Sequence, residues 1–488
     1  MKLLRIGVFA GALLAALPLA AQDEQKPLVV NPKVTTDKSV DCGSLDGILS
    51  SLIHGGMTDE QKVIAVFNWI RRVLYHGDGP EEIAYDFGKM IHSMGNGSCL
   101  RQTTPLALLL SRLGYQSQSW VHDTHHMLQV RYGGGWHCFD PHMNFYVYDR
   151  SSPRQVASIE QLRADSTLAW AAVAEGRAAP GFLLCGDSPR WFSGGGDWRQ
   201  EEGWPEMKVE EPFGQITLRR GESYTFEWLP GDYYYEGAWQ FDCGPYHTCG
   251  PNDSKDPANW PLFEPHQAVV NGVLCYRHWG QGRIAYYPDM FSDRFEDGVV
   301  RQRNILRLCP CFVLMPQDIT REGELVFRQD CPYVVTGGEF KVEKQEMKGP
   351  IRAEVSIDGM KTWLPVAVTD DGNVVRGRFD KEVNGSFNGY YLKLILAGDS
   401  SLQFVEILTY FQHNPYALPY LVPGKNVIKV QAQRFGSPLK LEWSYAEGPG
   451  WDRPVTVSRT FREGGELTIE VGGQKYPRNL SLTLSVLP

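Results

Sequence analysis

From about residue 205 to the C-terminus, apolar residues recur at every second position in short runs parted by Gly, Pro, Asn and Asp, with no long helical repeat. A period of two turns one face of each run into a core and the other outwards, so more than half of this 488-residue chain is committed to sheet. The alternation is plainest over 337–411, in GGEFKVEKQ, IRAEVSIDG, YYLKLILAG and QFVEILTYF, which read as a β-sandwich. Residues 205–335 form a β-rich middle region, dense in aromatics and holding six of the ten cysteines; a further β-rich region covers 412–488.

The N-terminal 200 residues follow a different pattern. MKLLRIGVFAGALLAALPLAA sets Lys2 and Arg5 before an apolar run that closes on small residues, the layout of a secretory signal peptide over 1–21. The run from Ile6 to Ala21 is shorter than the ~20 residues of a membrane span, so the expected mature chain is exported, secreted or periplasmic, with no span. After an extended leader to about Cys42, residues 58–75 place Val63, Ile64, Phe67, Ile70, Val73 and Leu74 at helical spacing. Thr58 and Gln61 form a capping box at the start. A second helix is expected over Cys99–Leu113, stopped by Gly114, with Pro105 kinking it or delaying its start. Residues 115–148 alternate as strands around Gly133, Gly134 and Gly135, and 155–176 return to a helical pattern. The expected unit, 22–200, is α+β and ends in the loop-like stretch FSGGGDWRQEEGWPE.

The formal charge of −9, or −11 without Lys2 and Arg5, and the lack of a long basic run argue against nucleic-acid partners. Ten cysteines in an exported chain permit disulfides; if one thiol is kept for chemistry, at least one more is unpaired.

Cys99 follows Gly97-Ser98 and opens the apolar helix, where the positive end of the dipole favours thiolate, the form that attacks carbonyls. An imidazole beside such a sulfur can later protonate a leaving amine, and a carboxylate behind the imidazole fixes its tautomer. Cys99, a histidine of the first strand and Asp140 of the second supply those types. The order of elements, G-S-C opening an apolar helix that ends R-L-G-Y, then H-x-x-x-Q-V, a glycine turn and G-W-x-x-x-D-P, resembles the transglutaminase-like superfamily of papain-like cysteine enzymes over residues 45–150. The resemblance implies a papain-like, transglutaminase-like α+β domain ahead of the β-rich domains, with Cys99 as nucleophile, a histidine as base and Asp140 as its orienting carboxylate. It implies action on amide or peptide bonds of a protein, peptide or cell-envelope substrate, by hydrolysis or acyl transfer and without a cofactor. The superfamily also has inactive members, and such a scaffold with β domains binding cell-surface polysaccharide or protein is the alternative.

Two histidines compete. A two-residue loop at Gly133-Gly134 pairs Tyr132 with Gly135 and puts His125 on the face of Asp140; a three-residue loop puts His126 there. The superfamily carries a polar residue, commonly Glu, four after its histidine, a place filled by Gln129 relative to His125, so His125 is preferred with His126 as the alternative. His122, His125, His126, His137, Cys138 and His142 are also possible zinc ligands by type, but His122 and His126, four apart in a strand, lie about 13 Å from each other. No metal site is expected. Cys309-Pro310-Cys311 has the look of a redox pair but lacks the two-residue spacer and reads as two structural thiols in different disulfides. Tyr246-His247-Thr248-Cys249 beside Asp253 reads as a disulfide-pinned loop, and Tyr233, Tyr234, Tyr235 and Trp239 read as core or cross-strand aromatics. Ser356–Trp363 resembles an Asp-box turn of sialidase-type propellers, with Met360 where glycine is expected; a single copy reads as a sandwich hairpin.

Overall fold

A computed structural model describes residues 28–487 apart from 77–79, 180–197, 230, 234, 236–265, 271–272, 278, 309–312, 346–348, 449 and 474–475. The signal-peptide segment, Tyr234, Trp239, the Tyr246–Cys249 cluster with Asp253, and Cys309–Cys311 lie outside the described residues.

The chain enters through β1 (Val29–Val30) and β2 (Lys33–Thr36). β1 pairs with Arg434–Phe435 and Thr217–Leu218, and β2 with Gly424–Gln431, so the leader is stitched into the far end of the chain. The unit's three longest described helices come next, with short helical turns over Glu81–Met94 between the second and third: α1 (Leu45–Leu52), α2 (Asp59–Val73) and α3 (Cys99–Arg112). The capping box of Thr58 and Gln61 starts α2, and α3 begins at Cys99 and runs unbroken through Pro105. Pro105 supplies no amide to the carbonyl one turn back, and the hydroxyls of Thr103 and Thr104 bond the neighbouring carbonyls of Cys99 (3.0 Å) and Leu100 (2.7 Å), keeping that turn closed.

A four-stranded antiparallel sheet follows: β3 (Gln116–His122), β4 (His125–Tyr132), β5 (Gly135–Phe139) and β6 (Trp198–Glu201), in the order β5-β4-β3-β6. Leu106, Leu110, Met127, Leu128, Phe139, Phe67 and Ile70 belong to the one core of this unit. The helix expected over 155–176 is two short ones, α4 (Ile159–Ala164) and α5 (Thr167–Trp170), because Asp165 accepts the amide and hydroxyl of Thr167 and starts a new turn. The unit also runs past 200: Trp198–Glu201 is an edge strand rather than a loop, Glu211 accepts the Leu45 amide at 2.5 Å, and Phe213 packs on Phe87.

The rest of the chain is strand-rich, in several sheets. One has nine strands, in the order Val368–Asp370, Val374–Arg378, Val334–Glu343, Phe404–His413, Gly280–Tyr286, Glu222–Glu227, Arg478–Val486, Leu439–Glu447 and Arg453–Phe461. A five-stranded sheet runs Val299–Arg303, Gly323–Gln329, Tyr390–Leu396, Ile351–Ser356 and Leu364–Val366. All three segments expected as separate domains, 205–335, 337–411 and 412–488, give strands to the nine-stranded sheet, and one core holds Val29, Tyr224, Phe340, Phe411, Trp443 and Leu484. Boundaries near 335 and 411 therefore do not divide the molecule. Tyr233 stacks on Tyr410 at 3.8 Å and Tyr235 meets Phe387 edge-on, which uses these aromatics in packing.

The two parts meet at Asn414. Its amide nitrogen donates to the carbonyls of Val73 (2.8 Å) and Ile91 (2.7 Å), and its backbone N–H to that of His92 (2.7 Å). Among the described residues no helix is long and apolar enough to cross a membrane.

Candidate active site

Cys99 is the first residue of α3, and Ser98 before it is extended (φ −67°, ψ 178°), so the sulfur stands at the amino end of the helix. Gln102, 2 % exposed, turns its side chain back and donates to the Gly97 carbonyl at 2.9 Å, holding the G-S-C turn from within the same helix. Cys99 is half-buried and unpaired.

The hairpin of β4 and β5 runs in the register Tyr132↔Gly135, Val130↔His137, Leu128↔Phe139. Its turn is Gly133-Gly134, both with positive φ (56° and 84°), as a tight two-residue loop requires. Continued by one step, that register sets Met127 opposite Asp140, and His125 lies on the same face as Met127. His125 Nε2 meets Asp140 Oδ2 at 2.6 Å, and the two side chains are 4 % and 2 % exposed. The other carboxylate oxygen of Asp140 accepts the Met143 amide at 3.1 Å, its backbone exchanges two hydrogen bonds with Phe145, and Arg71 of α2 donates to the Pro141 carbonyl. Asp140 is thus fixed on both sides of the histidine.

Burial works against a charged His125, but the Asp140 carboxylate, its hydrogen bond and the Cys99 sulfur outweigh that and hold the imidazole pKa up at about 10. The facing side chains favour an imidazolium. A nitrogen of His125, the Cys99 sulfur and a nitrogen of His142 all lie within 4.8 Å of one another. His126 is elsewhere: it faces the other side of β4, 3.6 Å from Glu201 of β6, and burial lowers its pKa.

The remaining histidines singled out by type do not converge with these. His122 meets Trp198 at a tilt, with ring centroids 4.5 Å apart, and both ring nitrogens of His137 sit on backbone carbonyls, Val156 at 2.6 Å and Tyr132 at 3.1 Å. Cys138 is fully buried and its thiol is pushed well up. Of the six residues, His125 and His142 come together, and they do so with Cys99. His142 reaches it because the turn closed by Asp140 and Phe145 folds 141–144 back onto the sheet, a return with no periodic signal in the sequence.

Gln129, four residues after His125, is fully buried and works away from the sulfur. Its Oε1 accepts the Ile159 amide at 2.9 Å at the start of α4, and its Nε2 donates to Glu160 at 3.3 Å. Of the four cysteines whose side chains are described, all unpaired, Cys42, Cys138 and Cys331 are buried; burial, first of all, pushes Cys42 and Cys331 up to about 12. Cys99 alone of the four is open to a reagent. A cleft of about 630 Å³ lined by Thr104, Leu108, Tyr115, Trp136 and Trp204 lies along α3 towards the turn end of the sheet, and Cys99, His125 and Asp140 do not line it.

No family model matches the chain, and no curated protein matches it. A similar solved structure is that of the pilus backbone RrgB from Streptococcus pneumoniae, at 9 % identity and a TM-score of 0.12 over 36 % of this chain and 42 % of that one. The chain spans under half the length of that protein, and a likeness so slight carries no inference about fold or function.

Proposed function

We propose that the N-terminal unit is a papain-like, transglutaminase-like cysteine enzyme acting on amide or peptide carbonyls, with Cys99 as nucleophile, His125 as general acid and base, and Asp140 as the residue that orients His125. The observation that carries this reading is the buried 2.6 Å contact of His125 Nε2 with Asp140 on the same side as the Cys99 sulfur. Nε2 committed to Asp140 leaves Nδ1 for the sulfur and for the leaving group.

In this mechanism the Cys99 thiolate attacks the carbonyl carbon, and the oxyanion forms next to the Cys99 backbone N–H at the start of α3. The His125 imidazolium gives its proton to the leaving nitrogen as the C–N bond breaks, which leaves a thioester and a neutral imidazole. That imidazole deprotonates the incoming water or amine, and collapse of the second tetrahedral species returns the thiolate–imidazolium pair. Water gives hydrolysis and an amine gives a new amide. The fixed Asp140 supports the charged ring in both halves without taking its proton. Export of the enzyme to a peptide or cell-envelope substrate rests on the N-terminal sequence.

Iodoacetamide labelling of Cys99, located by peptide mass spectrometry, tests the triad. A free thiol reacts mainly near and above a pKa of ~8.5, whereas one facing an imidazolium reacts well below it. Wild type and His126→Ala are expected to label quickly at pH 6, and His125→Ala slowly. Equal, slow labelling of all three proteins at pH 6 would remove His125 from the mechanism and leave the β-rich part as a binding module on an inactive scaffold. Ammonia release from a glutamine-rich protein such as casein is expected to disappear in Cys99→Ala and to fall by about 10²- to 10⁴-fold in Asp140→Asn.

A further inference from the structure

Among the described residues one set of thiol and imidazole groups converges: Cys99, His125 and His142, with a ligand atom from each within 4.8 Å of the others. Both imidazoles are buried, with ring centroids 5.2 Å apart. A zinc ion bound to two imidazole nitrogens at about 2.0 Å and a thiolate at about 2.3 Å holds those atoms about 3.3–3.5 Å apart, so each pair has to close by about 1.5 Å at most.

A second feature points the same way. A metal-bound imidazole commonly carries a carboxylate on its other nitrogen, which fixes the tautomer and strengthens the ligand. Asp140 is in that place on His125 Nε2, at 2.6 Å, and is itself held by the Met143 amide. Cys99 is half-buried at the helix end, so a fourth position opens towards solvent. One thiolate and two imidazoles select a borderline-soft cation over calcium or magnesium, which take oxygen ligands.

We propose that Cys99, His125 and His142 bind one Zn²⁺ ion, and that the bound ion turns the enzyme off. The ion takes the sulfur lone pair that would attack the carbonyl and displaces the proton shared by Cys99 and His125 to solvent, so nucleophile and acid are lost together. Binding stands on the three ligands alone; inhibition rests on the enzyme reading.

Cobalt(II) titration of the metal-free full chain is the test, because it reads binding without substrate. A sulfur-to-cobalt charge-transfer band with strong visible bands of four-coordinate cobalt is expected at one equivalent, and one equivalent of Zn²⁺ bleaches both. Cys99→Ser loses the charge-transfer band, His142→Gln weakens Co²⁺ and Zn²⁺ binding at least tenfold, and Asp140→Asn weakens Zn²⁺ binding about 10- to 100-fold. No charge-transfer band in wild type, or a band kept in Cys99→Ser, overturns the proposal, as does unchanged affinity in a folded His142→Gln. Should that variant not fold, wild-type protein decides: Zn²⁺ protects Cys99 from iodoacetamide if the site exists and leaves labelling unchanged if it does not. The two readings fail separately, since fast metal-free labelling without a cobalt band keeps the enzyme, and a cobalt band with slow labelling keeps the metal site.

Discussion

Gln129 shows how a single side chain can look like part of a site and serve the fold. It lies on the face of β4 that carries His125, yet its oxygen receives the Ile159 amide and so starts α4. Replacing it with alanine leaves that buried donor without its acceptor, a cost of about 1–3 kcal/mol. Gln129→Ala is therefore expected to shift the urea midpoint down by that free energy, with Cys99 labelling unchanged in the folded protein. Asp358 in the Ser356–Trp363 turn is a similar case. Its carboxylate accepts from the Thr362 amide and hydroxyl, Ser356 and the Lys361 amide, which hold its pKa well below the usual range, while Met360 takes a positive φ of 68° in the turn between Ile351–Ser356 and Leu364–Val366. The motif is a turn-former in one hairpin.

At the scale of elements, the β4–β5 hairpin decides which histidine meets Asp140. A slip of one residue moves every side chain to the opposite face, and the two-residue turn at Gly133-Gly134 is what presents His125 rather than His126 to Asp140. A Cβ at Gly133 meets nothing within 4 Å, and its φ of 56° suits asparagine in a tight hairpin turn. Gly133→Asn is expected to raise stability by about 0.4–1 kcal/mol by narrowing the unfolded ensemble, read as a higher thermal midpoint. Gly133→Val, strained at that φ, is expected to lower it. That a cysteine at a helix start, a histidine of one strand and Asp140 after the next come together was legible in the sequence. The register was not, because three consecutive glycines permit two loop lengths of opposite outcome.

Across the whole molecule, the joint between the α+β unit and the sheets carries two histidines, the half-buried His92 and the fully buried His413. His92 Nε2 bonds the Cys42 carbonyl at 2.8 Å, and His413 Nε2 bonds that of Glu227 at 3.0 Å. Burial lowers both: His413 falls from 6.5 to about 4 against its carbonyl partners, with His92 adding to the drop, and His92 falls although Asp41 opposes it. A histidine whose folded pKa is lowered binds fewer protons folded than unfolded. Its contribution is complete above pH 6.5 and is lost as pH falls towards 4, a change of about 3 kcal/mol for His413. Urea unfolding from pH 7 to 4.5 is expected to show stability falling with acid, and a shallower fall in His413→Gln.

What the sequence by itself determined was local. Alternation marked the strands, the Thr58 box and the Cys99 turn marked helix starts, and residue types marked the reactive groups, since each depends on neighbours within a few positions. Which strands share a sheet depends on contacts hundreds of residues apart, such as β2 with Gly424–Gln431, and alternation is silent about partners. The tertiary structure alone therefore merged three expected β domains into one core and carried the N-terminal leader to the C-terminal strands. It also folded His142 back onto Cys99 and His125.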